Sequence, residues 1–325
     1  MWLVFFTLVL SLLLLDLGIF HRKAKAIGVN ESLITSAFYI AMGLAFGCWV
    51  WYQLGSQAGS EYFTGFLVEK TLALDNIFVI SLIFTYFAIP AQHQHRVLFW
   101  GILGVIVLRA IMIGVGAALV AEFAWVLYIF AAFLIATGIK MLLVEEQSPD
   151  IGANRFLRFI QNRFRVTPHL HEERFLVRLP NPQTGRAELW ATPLLLALVF
   201  IEVVDLIFAV DSVPAIFAIT TDPFIVYTSN IFAILGLRAL YFALAAVIDR
   251  FRYLKHALAL VLVFIGSKIF IADLMGWEKF PASISLGVTL ALITSGVVYS
   301  IIRVRQQRFS HSKQSSTNGP KEAGC

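Results

Sequence analysis

Acidic residues recur in two apolar segments of the chain, and their spacing is the same in both. One segment reads Glu69-Lys-Thr-Leu-Ala-Leu-Asp-Asn, and the other reads Asp205-Leu-Ile-Phe-Ala-Val-Asp-Ser. Each places an acid six residues before an Asp that a small polar residue follows. Carboxylate, amide and hydroxyl oxygens are the hard ligands that Mg²⁺, Ca²⁺ and Mn²⁺ prefer. The two segments therefore predict a binding site for a divalent metal cation.

The candidate ligands share an oxygen donor and a position inside an apolar run. They are Glu69, Asp75, Asn76, Glu202, Asp205, Asp211 and Ser212. Glu202 belongs to the set because it lies three residues before Asp205 and shares its helix face. The candidate charge partners are Lys70, Arg109, Arg238 and Lys268. These bases either hold the site open without a cation or, alternatively, pair with the acids only to hold the helices together.

Composition shows what kind of element must position these residues. Of 325 residues, 59% are hydrophobic and 14% are charged, whereas soluble proteins carry about 25% charged residues. The mean hydropathy is +0.82. These values exclude a disordered chain, a coiled coil and a soluble enzyme with a solvated surface. The bilayer must be the solvent for most of the chain.

Apolar stretches long enough to cross a bilayer predict an all-α, polytopic membrane protein with about nine transmembrane helices. The spans are expected at about 2–20, 33–54, 64–88, 96–120, 124–144, 191–219, 225–248, 255–275 and 281–303. The first stretch lacks a basic start and a cleavage motif, so we expect a retained span. Around Pro180, a short two-stranded ribbon is expected, and Asp222-Pro223 is expected to cap a helix.

Basic residues outside the spans indicate the orientation. With nine spans, every one of them except Lys279 falls on a single side, which the positive-inside rule makes cytoplasmic. The N-terminus is then outside and the C-terminus is cytoplasmic. The basic charge serves topology and contact with the lipid bilayer, so no nucleic-acid partner is expected.

The spans contain an internal repeat. The acidic segments are followed by Leu-Arg-Ala at Arg109 and at Arg238, and then by Gly-x-Lys at Lys140 and at Lys268. Each copy holds three spans, an odd number, so the second copy inserts upside down. This is an inverted repeat of two three-helix units, as in many secondary transporters. Pro214 is the predicted helix interruption, because it removes the hydrogen bond to Val210.

Inversion sets the depth of each acid. If the copies pack about a two-fold axis, Asp75 meets Asp205 near the midplane. Glu69 and Asp211 then form a second level about 9 Å away. The predicted divisions of the chain are two N-terminal helices at 1–63, a first unit at 64–144, a cytoplasmic loop at 145–190, a second unit at 191–275, a last helix at 276–303 and a disordered tail at 304–325.

Enzymatic and ATP-driven functions are not expected. The sequence has no P-loop and no nucleophile–base motif, and its two cysteines form no metal or disulfide framework. No permanently bound cofactor is predicted, and the metal cation is treated as a transported substrate.

Long motifs carry a resemblance to a known family. They are residues 65–79, 202–217, 221–224 and 234–242. These segments resemble the TerC family, most closely its Alx-type members, in the LysE-like exporter superfamily. The resemblance covers about residues 1–305 and implies a bacterial inner-membrane protein of the tellurium-resistance group that exports Mn²⁺. It places the family's acidic motif on Glu69, Asp75, Glu202, Asp205 and Asp211. Ligand chemistry alone leaves Mn²⁺, Ca²⁺ and Mg²⁺ open.

Two other classes of protein fit the same pattern. One is a LysE-like exporter of a small organic solute, which would need fewer acids and a means of recognising carboxylate and amine. The other is a non-transporting membrane scaffold in metal or tellurite stress response, which would recruit partners through residues 145–190. If the substrate is a metal cation, cation/proton antiport is the expected transport mechanism, because protonation of the acids favours release of the metal.

Overall fold

The structure is a computed structural model, and it describes most of the chain. The described residues are 1–18, 29–143, 166–167, 170–171, 174–180, 187–244, 254–277 and 280–317. Within these ranges the elements follow in the order α1 (Trp2–Gly18), α2 (Val29–Tyr86), α3 (Ala91–Glu122), α4 (Val126–Leu143), β1 (Leu176–Pro180), β2 (Ala187–Ala191), α5 (Pro193–Ile219), α6 (Pro223–Leu235), α7 (Leu237–Leu244), α8 (Leu254–Leu274) and α9 (Ala282–Thr317).

The apolar helices are those of a multi-pass membrane protein. In the described ranges, six helices are long and apolar enough to cross a bilayer: Asn30–Ala73, Ala91–Glu122, Val126–Leu143, Pro193–Ile219, His256–Leu274 and Ala282–Ser300. Two shorter apolar helices accompany them, Trp2–Leu15 and Pro223–Leu235. The predicted class, an all-α polytopic membrane protein, agrees with this architecture. The count of nine spans stays a prediction.

Helix α2 is interrupted at Gly55, whose φ of 88° and ψ of 178° are not helical. Its two arms, residues 29–54 and 56–86, fold back on each other. Gly43 faces Phe66, Gly47 faces Tyr62, and Gly59 faces Trp51, so residues pair at nearly equal distances on either side of the interruption. Glycines allow the arms to approach closely, as small residues do in membrane helix pairs. The interruption agrees with separate spans at 33–54 and 64–88.

Pro214 does not interrupt its helix, contrary to the prediction. Helix α5 runs from Pro193 to Ile219 with Pro214 inside it, since a membrane helix tolerates a proline where neighbouring helices compensate for the lost bond. The interruption lies instead in the next predicted span, 225–248, which divides at Gly236 into α6 and α7. The interruption therefore lies one predicted span later than the sequence indicated.

Helix α6 is the most enclosed element. All of its residues from Phe224 to Leu235 except Tyr227 are buried, and it packs against α2 and α3. Its start is the expected cap, because the carboxylate of Asp222 accepts hydrogen bonds from the backbone N–H groups of Phe224 and Ile225. A short, mostly buried helix thus begins at a cap and ends at Gly236 inside the protein.

Helices α4 and α8 pack along each other through a glycine on each side. Gly138 of α4 lies against Ala259 and Val263, and Gly266 of α8 lies against Ala131 and Ile135. Strands β1 and β2 pair antiparallel, with Leu176 opposite Ala191. The predicted ribbon is confirmed.

Candidate functional site

A single arginine is at the centre of the site. Arg109 of α3 is 1% exposed. Its Nη1 donates hydrogen bonds to Glu69 Oε1 at 2.5 Å and to Ser212 Oγ at 2.6 Å. Its Nε and Nη2 donate to the two carboxylate oxygens of Asp205, each at 3.3 Å. One guanidinium therefore links acids from α2 and α5.

Each acid is also held by one asparagine. Asn76 Nδ2 donates to Asp205 Oδ1 at 3.2 Å, and Asn230 Nδ2 donates to Glu69 Oε2 at 3.0 Å. All four side chains are buried. The described site is thus two carboxylates, each hydrogen-bonded by Arg109 and by one amide.

Helix periodicity explains which members of the repeated segments meet. Glu69 and Asn76 are seven residues apart on α2, as are Asp205 and Ser212 on α5. Seven residues rotate about 700°, close to two full turns, so each pair shares a helix face. The small polar residue that follows each Asp therefore lies on the face of the first acid.

The predicted pairs, Asp75 with Asp205 and Glu69 with Asp211, stay a prediction, because the side chains of Asp75 and Asp211 lie outside the part of the chain that the structure describes. The side chain of Arg238 lies outside it as well. Among the described residues, Asn76 contacts Asp205, and Ser212 shares Arg109 Nη1 with Glu69. Arg109 contacts both Glu69 and Asp205, so one guanidinium joins two acids that were predicted to lie at separate levels.

The two lysines in the predicted set contact other groups. Lys70 Nζ donates to the backbone oxygen of Ala233 at 2.8 Å, near the end of α6, and a Cβ on Gly236 would lie 2.9 Å from that ammonium. Lys268 Nζ donates to Ser285 Oγ of α9 at 3.3 Å. Lys70 therefore supports the broken helix, and Lys268 lies in a separate polar cluster.

Glu202 lies one turn from Asp205 and packs on α3 where that helix has glycines. A Cβ on Gly104 would overlap the Glu202 carboxylate, whereas a Cβ on Gly101 would make ordinary contact with it at 3.9 Å. Among the described residues, Oε2 of Glu202 has no hydrogen-bond partner. Gly104 thus makes room for an acid that remains available to a ligand.

A small cavity adjoins Asp205. Its volume is about 30 Å³, and a water needs about 10–15 Å³, so it has room for about two waters. Asn76 and Asp205 are its polar lining side chains, and the others include Gly101, Ile102, Ile234 and Leu237. The cavity therefore reaches from the site to the interruption at Gly236.

The similarity of the chain to known proteins shows its family. The model of the integral membrane protein TerC family matches residues 54–308. The chain belongs to the TerC family. An "Uncharacterized membrane protein" of Rickettsia felis is 50% identical over 93% of this chain and 97% of its own length. A "Putative membrane-bound redox modulator Alx" of Salmonella typhi is 44% identical over 92% of both chains. No solved structure matches.

Every hydrogen-bonded residue of this TerC protein's site falls inside the matched region. In the described ranges, no group of three or more His, Cys, Asp or Glu side chains is close enough to hold a metal ion. The guanidinium of Arg109 contacts Glu69, Asp205 and Ser212. The described arrangement is one in which Arg109 neutralises the acids.

One member of the site, Asn230, was not among the sequence candidates. It carries no charge, and it lies outside the repeated acidic segments. The signal that could have identified it is the run Thr228-Ser229-Asn230 in an otherwise apolar helix, because consecutive polar residues there need partners.

Proposed function

We propose that this protein is a secondary transporter that exports a divalent metal cation, with Mn²⁺ as substrate, from the bacterial cytoplasm across the inner membrane. One observation carries the proposal: Glu69 and Asp205, from separate helices of an apolar bundle, converge on one buried guanidinium with amide and hydroxyl groups around them. Ionisable groups at membrane depth are costly to bury and mark ion pathways.

Arg109 gives the proposal its mechanism. Two buried carboxylates need a positive partner, and in the absence of substrate Arg109 supplies it. An entering cation competes with the guanidinium for Glu69 and Asp205, and it is bound by oxygen ligands that include Asn76, Ser212 and Glu202. When the cation leaves, Arg109 returns and neutralises the acids.

The architecture that we propose is nine spans with two inverted three-helix units, the N-terminus outside and the C-terminus cytoplasmic. The mirrored contacts of Gly138 and Gly266 support a two-fold relationship between the units. A broken helix beside the site, at Gly236, is a common feature of alternating-access transporters. Membership of the LysE-like superfamily and cation/proton antiport belong to the same proposal.

Transport into vesicles tests the function. The full-length protein is reconstituted into liposomes that contain a Mn²⁺-sensitive dye, and uptake is compared for the wild type, Glu69→Gln and Asp205→Asn. Asp75→Asn and Asp211→Asn extend the set to the predicted ligands. Glu31→Gln is the control, since it makes the same change on α2 at an exposed position.

The expected result is uptake by the wild type and by Glu31→Gln, with at least a tenfold loss in Glu69→Gln and Asp205→Asn. Normal uptake by all four acid variants would contradict the site. If an organic solute is moved and Mn²⁺ is not, the protein is a solute exporter. If neither is moved, and deletion of 145–190 abolishes the response of cells to metal or tellurite stress whereas the acid variants do not, the protein is a scaffold.

A further inference from the structure

Asn230 has an environment unlike that of its polar neighbours. Thr228, Ser229 and Asn230 are all 0% exposed. The hydroxyls of Thr228 and Ser229 donate to the backbone oxygens of Phe224 and Ile225, one turn back on α6. Asn230 instead extends to Glu69. Of the three, Asn230 is the one directed at the acids.

The orientation of its amide follows from that contact. A carboxylate only accepts hydrogen bonds, so the amide nitrogen of Asn230 faces Glu69 and its oxygen faces away. That oxygen, Oδ1, is buried and has no hydrogen-bond partner among the described residues. A buried acceptor without a partner is unfavourable and needs an explanation, such as an unseen ion or water.

Asn76 repeats the arrangement at the other acid. Its nitrogen donates to Asp205, and its Oδ1 is likewise buried and unpartnered within the described part of the chain. Asn76 and Asp205 both line the cavity. Each acid is therefore accompanied by an amide oxygen that is free to bind a cation.

The position of Asn230 on a broken helix strengthens the case. Glu69 and Lys70 are consecutive on α2, and they hold α6 at Asn230 and at Ala233. Helix α6 ends at Gly236, inside the protein. Asn230 therefore lies on a short helix that ends beside the site, as ligands do on the discontinuous helices of transporters.

We propose that Asn230 is a ligand of the transported cation through Oδ1 and that, with Asn76, it selects for cations larger than Mg²⁺. This rests on the proposed function. Neutral amide oxygens on a segment that can adjust suit Mn²⁺ or Ca²⁺, whereas Mg²⁺ demands near-ideal octahedral geometry and sheds water reluctantly. A site of charged carboxylates alone would discriminate less between these ions.

Equilibrium binding to the purified full-length protein tests the proposal. Mn²⁺ binding is measured directly, and Mg²⁺ and Ca²⁺ are measured by competition, for Asn230→Ala, Asn230→Asp and the control Ser229→Ala. Ser229 is equally buried on the same helix, but its hydroxyl bonds to backbone. Thermal melting of each variant checks folding.

Asn230→Asp separates a ligand from a residue that only positions Glu69. An ionised Asp cannot donate to Glu69, so a positioning role predicts that, at a pH where the introduced carboxyl group is ionised, Asn230→Asp loses Mn²⁺ binding as fully as Asn230→Ala. A ligand role predicts that Asn230→Ala loses Mn²⁺ affinity tenfold or more. It also predicts that Asn230→Asp binds Mn²⁺ as tightly as the wild type or more tightly, with a preference for Mn²⁺ over Mg²⁺ that is reduced at least fivefold. Ser229→Ala stays within twofold of the wild type.

Two outcomes overturn the inference in different ways. If Asn230→Asp binds no Mn²⁺ or keeps the wild-type preference, Asn230 is not the selecting ligand, although transport by Glu69 and Asp205 still stands. If the wild type itself binds none of the three ions, the proposed function fails and the inference fails with it. Should Asn230→Ala not fold, the isosteric Asn230→Asp still gives the decisive measurement.

Discussion

Gly138 of α4 and Gly266 of α8 make mirrored contacts across one helix pair. A Cβ on Gly138 would lie 2.6 Å from the backbone oxygen of Ala259, and a Cβ on Gly266 would lie 2.6 Å from the backbone oxygen of Ala131. Ala131 precedes Gly138 by seven residues, and Ala259 precedes Gly266 by seven. The same spacing on both helices means that each one presents the same surface to the other.

These contacts predict equal effects for two distant substitutions. Gly138→Ala and Gly266→Ala each press a methyl group against backbone, which cannot move aside, so each should destabilise the protein by about 1–3 kcal/mol. Gly287→Ala is the control, because nothing lies within 4 Å of its added Cβ. Thermal unfolding in detergent measures all three. A large loss in only one of the two glycine variants would contradict the mirrored packing.

Arg109→Met should be strongly destabilising, because it leaves Glu69 and Asp205 buried without their shared positive partner. Removing one member of a buried ion group costs about 3–5 kcal/mol. Combining it with Glu69→Gln and Asp205→Asn should recover most of the loss, which chemical denaturation can measure. If the triple variant is no more stable than Arg109→Met, the charges are not the cause.

The same variant tests competition between Arg109 and the substrate. A ligand that binds only the folded state raises its stability. Without the guanidinium, Mn²⁺ has no internal competitor, so it should raise the melting temperature of Arg109→Met by several degrees more than that of the wild type. Equal shifts in the two proteins would show that Arg109 does not occupy the cation's place.

Much of the fold follows from the sequence, because the bilayer requires long apolar helices. The helix cap at Asp222-Pro223 and the two-stranded ribbon at 176–191 were also predictable, since the local sequence favours each of them. The interruption was misplaced for a physical reason. Pro214 removes one hydrogen bond, which a packed helix tolerates, whereas Gly236 divides its span beside the ammonium of Lys70. That ammonium comes from another helix, and the local sequence around Gly236 contains no sign of it.

The site was predictable to the extent that charge marks it. Glu69, Asp205 and Arg109 stand out as charged residues in apolar runs, and each belongs to a motif that occurs twice. Asn230 did not stand out, since an amide in a membrane helix has no charge signature. Lys268 has the same sequence context as Lys140, and only tertiary packing shows that its contacts are with α9.

Gly104→Ala should move Glu202 without unfolding the protein. Its Cβ would overlap the Glu202 carboxylate, which is the flexible end of a side chain, so stability should change by less than about 1.5 kcal/mol. If Glu202 contributes to cation binding, Mn²⁺ affinity should fall several-fold. Gly287→Ala, whose added Cβ would have nothing within 4 Å, should bind Mn²⁺ as the wild type does. Equal affinities in both variants would exclude Glu202 from the site.

Lys140 and Lys268 provide the last prediction, because they hold matching positions in the repeat but different environments. Lys140 is exposed, whereas Lys268 is 5% exposed and donates a hydrogen bond to Ser285 Oγ. We expect Lys268 also to balance the charge of Glu61, which is 6% exposed. Lys268→Met removes that hydrogen bond and that charge, so it should destabilise the protein by about 1–3 kcal/mol.

Exposed Lys140 provides the control for buried Lys268, and Glu61 provides the second variant. Lys140→Met should change the stability by less than about 0.5 kcal/mol. Glu61→Gln combined with Lys268→Met should cost less than the sum of the two single variants, with a coupling of about 0.5–3 kcal/mol. Chemical denaturation of the wild type, the two single variants and the double variant measures this cycle. Strictly additive losses would show that Glu61 and Lys268 do not stabilise each other, and Ser285 would then be the partner that matters for Lys268.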